Sequence, residues 1–176
     1  MKDAISISPP AGFAPRIGQY IAQLEDVRGR TMRYAEGLSP WQLAWFPNPK
    51  VESIGTLLLH IAAVETSWIQ EDIMRQPMGE EWRIAFPIRF GIPQISGKPL
   101  EFFIEKLDSS RAMTRQVLAK MTDADLDRSV TSLDDEGAVE AQRYTIEWIL
   151  YHLVEHEAHH KGQIAMMRRL LPGANV

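Results

Sequence analysis

The sequence predicts an all-α protein built as a bundle of four long helices, and three observations lead there. Long stretches carry apolar residues at steps of three and four, the repeat of a helix with one face against a core. Proline falls between those stretches or at their first turn. The last stretch, Thr145 to Leu171, carries four of the five histidines, three of them within its apolar face. At 176 residues the chain is long enough for one domain with a sizeable core, so residues 1–176 are expected to form a single domain.

Residues 1 to about 13, with Pro9, Pro10 and Gly12, predict an extended surface segment. A first helix starts at Pro15, passes Ile17, Tyr20, Ile21, Leu24, Val27 and Met32, and ends at Gly37 as a left-handed cap. Ser39 and Pro40 open a short helical turn, LSPWQLAW, and Phe46-Pro47-Asn48-Pro49 breaks the chain again. The second long helix spans Val51 to Met74 with Leu57, Ile61, Val64 and Trp68 as its stripe. From Arg75 to Pro99 the pattern dissolves into prolines and glycines with Trp82, Phe86 and Phe90 between them, which predicts a long crossover or a functional loop.

A third long helix starts near Pro99 and runs through Phe102, Phe103, Ile104, Leu107, Met113, Val117 and Leu118 to about Met121. Thr122 and Asp125 form a capping pair that opens a second short turn, MTDADLDR. Between Asp127 and Tyr144 an alternating segment and the acidic turn Asp134 to Gly137 predict a small hairpin. Thr145 caps the fourth long helix, whose dipole suits Glu147 in its first turn and Arg168 and Arg169 in its last. Pro172-Gly173 stops it.

The chemistry is carried by that fourth helix. Ile149, Leu153, Ile164, Met167 and Leu171 make its apolar stripe, and His152, His156 and His160 fall in the middle of it. A step of four turns the side chain by only ~40°, so His156 and His160 share one face, while His159 points elsewhere. One core histidine is ordinarily satisfied by hydrogen bonds. Several on adjacent turns would be desolvated together, and protonating them would bury like charges.

A divalent metal removes that conflict by taking the ring nitrogens as ligands, and catalytic centres of this kind use three protein ligands and keep a position open. The fifth histidine, His60, lies in the stripe of the second long helix. His60, His156 and His160 are therefore the candidate ligands; imidazoles suit zinc, nickel, iron and copper alike, and zinc or nickel is the ion expected here.

Other residues around these carry weaker signals. Gln163, three after His160, faces the site and holds a ligand or substrate, or else hydrogen bonds between packed helices. Thr56 is a candidate hydroxyl behind His60. His152 reads as a core residue, with a fourth ligand or a donor behind the ligands as alternatives. Glu155 and Glu157 read as solvated charges pairing with Lys161 or arginines. The tryptophans 41, 45, 68, 82 and 148 read as core and groove lining.

Composition bounds the function. Net charge is −4 with a pI near 5.7 and no basic run, which argues against a nucleic-acid partner. No cysteine is present, excluding disulfides, thiolate ligands and a cysteine nucleophile. The start MKDAISISPPAGFAPR lacks an apolar core and no later run reaches ~20 apolar residues, so no membrane partner and a cytoplasmic location are expected.

Four long helices, SIGTLLLHIAAVETSWI on the second and HLVEHEAHHKGQI on the fourth together resemble the DinB superfamily of metal-binding helical bundles. The resemblance spans nearly the whole chain and places His60, His156 and His160 on that family's three metal ligands, with His159 on the non-ligating member of its His-His pair. It implies up-down-down-up topology, with Arg75 to Pro99 as the crossover between the second and third long helices, and a homodimer. It also implies a small-molecule substrate and a metal-dependent transferase using a low-molecular-weight thiol of the bacillithiol, mycothiol or glutathione type. A metal-dependent hydrolase and a non-catalytic, stress-related metal-binding protein are the alternatives.

Overall fold

The protein is described by a computed structural model covering residues 4, 6–85, 94–132 and 141–173. It is mostly helical: α1 (Pro15–Ala35), α2 (Pro40–Ala44), α3 (Ile54–Thr66), α4 (Glu80–Arg83), α5 (Leu100–Leu118) and α6 (Ile146–Leu170). Strands β1 (Ser129–Thr131) and β2 (Arg143–Thr145) pair antiparallel, with Val130 opposite Tyr144. This is the hairpin expected before the last helix; its acidic turn lies outside the described residues. No helix among the described residues is long and apolar enough to cross a membrane.

The helix ends follow the local chemistry. Pro15 opens α1, but Ala14 has no side chain to cap it. Asp123, far along the chain, accepts from the amides of Arg16 and Ile17 instead. Gly37 takes a positive φ of 73° just past the end of α1, the conformation an L side chain resists. Ser39 and Gln42 complete a reciprocal capping box on α2. Ser53 caps α3 through the amide of Thr56, and Thr145 caps α6 through the amide of Trp148. Thr122 and Asp125 make the expected capping pair, opening a 3-10 turn at Asp123–Asp127.

The second long helix departs from the expected Val51 to Met74 span. It is α-helical over Ile54–Thr66 and then widens into a π-helical stretch, Ser67–Ile73. A 3.6-residue apolar period cannot register that change, because a π turn keeps the chain helical while shifting which residues face the core. All thirteen residues of α3 are buried, so it is a central helix with no solvated face. Its first turn meets α5 closely, where a Cβ on Gly55 would lie 2.7 Å from Phe103 Cζ.

Helix neighbours are set by named pairs. Arg16 meets Glu147 at one end of α1 and α6, and Arg168 bonds the carbonyls of Tyr34 and Glu36 at the other. Gly55 meets Phe103 and Glu65 meets Arg111 along α3 and α5. Trp68 meets Trp148, and His60 meets His156, across α6.

The apolar core is split in two. Leu57, Leu58, Ile61, Phe103, Ile164 and Met167 belong to one cluster. Ile17, Ile21, Val64, Ile149, Leu150 and Leu153 belong to the other. Polar side chains on every long helix fill the level between them.

Candidate metal centre

His60 is carried by the middle of α3 and is 4% exposed; His160, on α6, is 6% exposed, and His156 is half-buried. The three ligand-capable nitrogens lie within 4.8 Å of one another, the one cluster of this kind among the described residues. His156 Nε2 lies 3.2 Å from His60 Nε2 and 3.1 Å from His160 Nε2. Nitrogens at 2.0–2.1 Å from a common ion stand about 2.8–3.4 Å apart across octahedral and tetrahedral geometries, so the observed 3.1 and 3.2 Å suit a shared ion.

The far side of two rings fixes their tautomer. His60 Nδ1 faces the carbonyl oxygen of Ala85 at 2.8 Å. A carbonyl only accepts, so Nδ1 carries the proton and Nε2 turns a lone pair inward. His160 Nδ1 donates in the same way to Gln163 Oε1 at 2.5 Å. A proton on His156 Nε2 could satisfy only one of these lone pairs. A cation satisfies all of them.

Electrostatics point the same way. Burial, then the neighbouring rings of His160, His60, His152 and His159, push the His156 pKa down to about 2. Burial likewise takes His160 down to about 4, against the opposing effect of its bond to Gln163. Burial also lowers His60, although its bond to Ala85 resists. The rings are thus held neutral at pH 7, the protonation state a metal ligand requires. The donor set, its spacing and its protonation fit a divalent ion.

The other expected residues are placed as follows. Gln163 stands behind His160. Thr56 does not support His60: its hydroxyl bonds Ser53 and Gln94 and accepts from the amide of Ile95, pinning the crossover to α3. His152 lies outside the nitrogen cluster and is not a core residue. Its side chain is 26% exposed, stacked at 7° on Trp148 with ring centres 5.0 Å apart. Trp82 is 7% exposed, but Trp41 and Trp148 are 58% and 40% exposed and do not join the core. His159 is exposed, pointing away from the cluster.

Glu155 is solvent-facing as expected, but Glu157 is 2% exposed, which overturns its reading as a solvated charge. Its carboxylate accepts from Arg28 at 2.8 Å and from Arg111 at 3.4 Å. The same two guanidiniums bond Glu65, at 2.9 and 2.7 Å. Burial alone would raise the Glu65 pKa, yet Arg111, Arg28 and a bond from Thr114 outweigh it and bring the carboxyl down to about 2. Arg111 Nη1 makes no hydrogen bond and faces Glu25 at 3.7 Å.

A signal for this ring exists in the sequence. Arg28 continues the step Ile17, Ile21, Leu24, and Arg111 continues Phe103, Leu107, each at a position where the stripe calls for an apolar side chain. The Ala85 carbonyl has no such signal, being backbone.

A model of the DinB superfamily matches residues 23–164, well over half of the chain. Among solved structures, a conserved protein from Enterococcus faecalis is similar at 16% identity with a TM-score of 0.66, covering 86% of this chain and 94% of its own. A DinB-like protein from Bacillus cereus is similar at 17% identity with a TM-score of 0.56, covering 88% of this chain and 95% of its own. At such identities these structures speak for the fold alone. No curated protein matches.

Proposed function

The chain belongs to the DinB superfamily, and on that premise we propose that it is a metal-dependent enzyme of the thiol S-transferase type, with His60, His156 and His160 holding zinc or nickel. The observation that carries this reading is the convergence of three Nε2 atoms, two with their protons committed to the far side of the ring. A divalent ion held there supplies a +2 charge near which a thiol or a water loses its proton close to neutral pH.

The protein's own residues prepare that position. Ala85 and Gln163 orient two rings and raise their basicity by accepting their Nδ1 protons. Burial excludes water from His60 and His160. His152, stacked on Trp148 rather than grouped with the three nitrogens, leaves no fourth histidine to close the site. That favours a catalytic over a purely structural centre.

The same reading takes residues 1–176 as one domain, a four-helix bundle of up-down-down-up order. The Arg16–Glu147 and Tyr34–Arg168 pairs support parallel α1 and α6, and Gly55–Phe103 with Glu65–Arg111 support parallel α3 and α5. A homodimer is part of it too, supported by Trp148, Tyr151, Met166 and Leu170, all at least 40% exposed along α6. So is a cytoplasmic setting, where small thiols are kept reduced.

Metal content by mass spectrometry on untagged protein, beside a His60→Ala/His156→Ala variant, is the first test. About one ion per chain in the parent and none in the variant is expected. Loss of an electrophile that depends on added thiol then identifies a transferase, and loss without thiol a hydrolase. No metal after reconstitution would overturn the proposal.

A further inference from the structure

On α6 no apolar side chain is buried between Leu153 and Ile164; the buried residues of that stretch are Glu157 and His160. On α6 the apolar clusters lie on either side of this level, so that helix contributes no buried apolar side chain where the histidines meet, although α3 carries Leu59, Ile61, Ala62 and Ala63 there. What spans the level is a closed ring of four charges. Arg28 of α1 and Arg111 of α5 each bond both Glu65 of α3 and Glu157 of α6. The four residues are 2–7% exposed.

Glu157 follows His156 directly, ~1.5 Å farther along the helix axis, and Glu65 lies five residues past His60, ~7.5 Å along its own. The two carboxylates are thus rigidly placed relative to the imidazoles on the same helices. Apolar surfaces tolerate small slides, but hydrogen bonds from a planar guanidinium fork do not. A slip of α3 against α6 by one turn, ~5.4 Å, would make each arginine give up one of its two carboxylates.

From this we infer that Glu157 and Glu65, tied by Arg28 and Arg111, are positioning residues that set the register and spacing of His60 against His156 and His160. The ring holds the His60 and His160 nitrogens 3.2 and 3.1 Å from that of His156, and all three within 4.8 Å of one another, before an ion arrives. It preorganises the site and removes from binding the free energy of drawing two helices together. This rests on the metal reading above, and the test separates the two.

The test uses Arg28→Met/Glu157→Leu, which removes one charge of each sign and leaves the Arg111–Glu65 pair intact at 2.7 Å. Balanced apolar replacement of a buried pair is often neutral for stability. Arg28→Lys is the milder companion, keeping the charge without the fork. Zinc affinity is measured by chelator competition, and site geometry from the visible absorption of bound cobalt, on variants shown folded by their melting curves. The expected result is a loss of affinity of about tenfold or more in the double variant, with a shifted cobalt spectrum, and a smaller change of the same sign in Arg28→Lys.

A folded double variant with parental affinity and spectrum would overturn the inference. If neither variant folds, Thr114→Val, which removes one bond to Glu65, takes their place with the same expected sign and the same overturning result. Should the parent bind neither ion, the metal reading falls, and the imidazole nitrogen resonances decide the positioning. Displaced His60, His156 and His160 signals in the double variant uphold it, and unmoved signals overturn it.

Discussion

His60 Nδ1 lies 2.8 Å from the carbonyl oxygen of Ala85, so the crossover, and not only the helices, orients a candidate ligand. Ala85 follows α4, where helix carbonyls lack intrahelical partners and a donor is welcome. Trp82 anchors α4, buried to 7% exposure with the Lys106 ammonium 5.0 Å over its ring. Trp82→Ala is expected to weaken zinc binding by about tenfold at a temperature where the variant is folded. Parental affinity in chelator competition would take the Ala85 carbonyl out of this role.

Gln163 offers a sharper comparison, because its side chain can be changed without losing the acceptor. Gln163→Leu leaves His160 Nδ1 without its 2.5 Å partner and is expected to lower metal affinity by about 10- to 100-fold. Gln163→Glu keeps an oxygen there and adds charge, so affinity should match or exceed the parent's. Equal losses in both variants would show that an acceptor oxygen beside His160 Nδ1 is not what sustains the affinity.

How much of this was legible depended on whether the partner was local. His156 and His160 share a face by spacing alone, and His60 sits in an apolar stripe, so the cluster could be read from period and residue type. The helix ends were legible for the same reason: Ser39 and Thr145 accept from amides three residues on, and Asp125 accepts from the amide and hydroxyl of Thr122 three residues back. Glu157 was not, because its partners Arg28 and Arg111 come from other helices, 129 and 46 residues away. The π stretch after Thr66 was not, because no side-chain type marks it. The sign that could have been used is the coincidence of four stripe-breaking charges on four helices.

Acid should unfold the metal-free protein in two windows. His160 and His156 have folded pKa values of about 4 and about 2 against 6.5 for the free side chain. Their contribution is fully present above pH 6.5 and is lost as pH falls, since the unfolded chain then binds protons the folded one does not. By pH 5 the loss is about 2 kcal/mol per ring. Glu65 falls from 4.5 unfolded to about 2 folded, so its contribution is present above pH 4.5 and lost between there and about 2. Urea midpoints should drop between pH 7 and 5 in the parent and drop clearly less in His156→Ala/His160→Ala, where the buried His60 remains. A parental midpoint unchanged at pH 5 would show that the rings are not held neutral.

The close approach of α3 and α5 makes the last prediction, one in which two rules conflict and magnitude decides. Alanine is the better helix former by ~1 kcal/mol, so Gly55→Ala should stabilise α3 if space allowed. A Cβ there would lie 2.7 Å from Phe103 Cζ and 3.1 Å from the Leu43 carbonyl oxygen. The Phe103 ring is 1% exposed and packed on Phe102, so it cannot swing away, and the Leu43 contact is backbone. Overpacking of this kind costs about 1–3 kcal/mol, which outweighs the propensity gain. Gly55→Ala is therefore expected to lower the melting temperature, and to do so much less when combined with Phe103→Leu, which shortens the offending side chain. Additive losses in the two single variants and the double would show that the Gly55–Phe103 contact does not set the separation of α3 from α5.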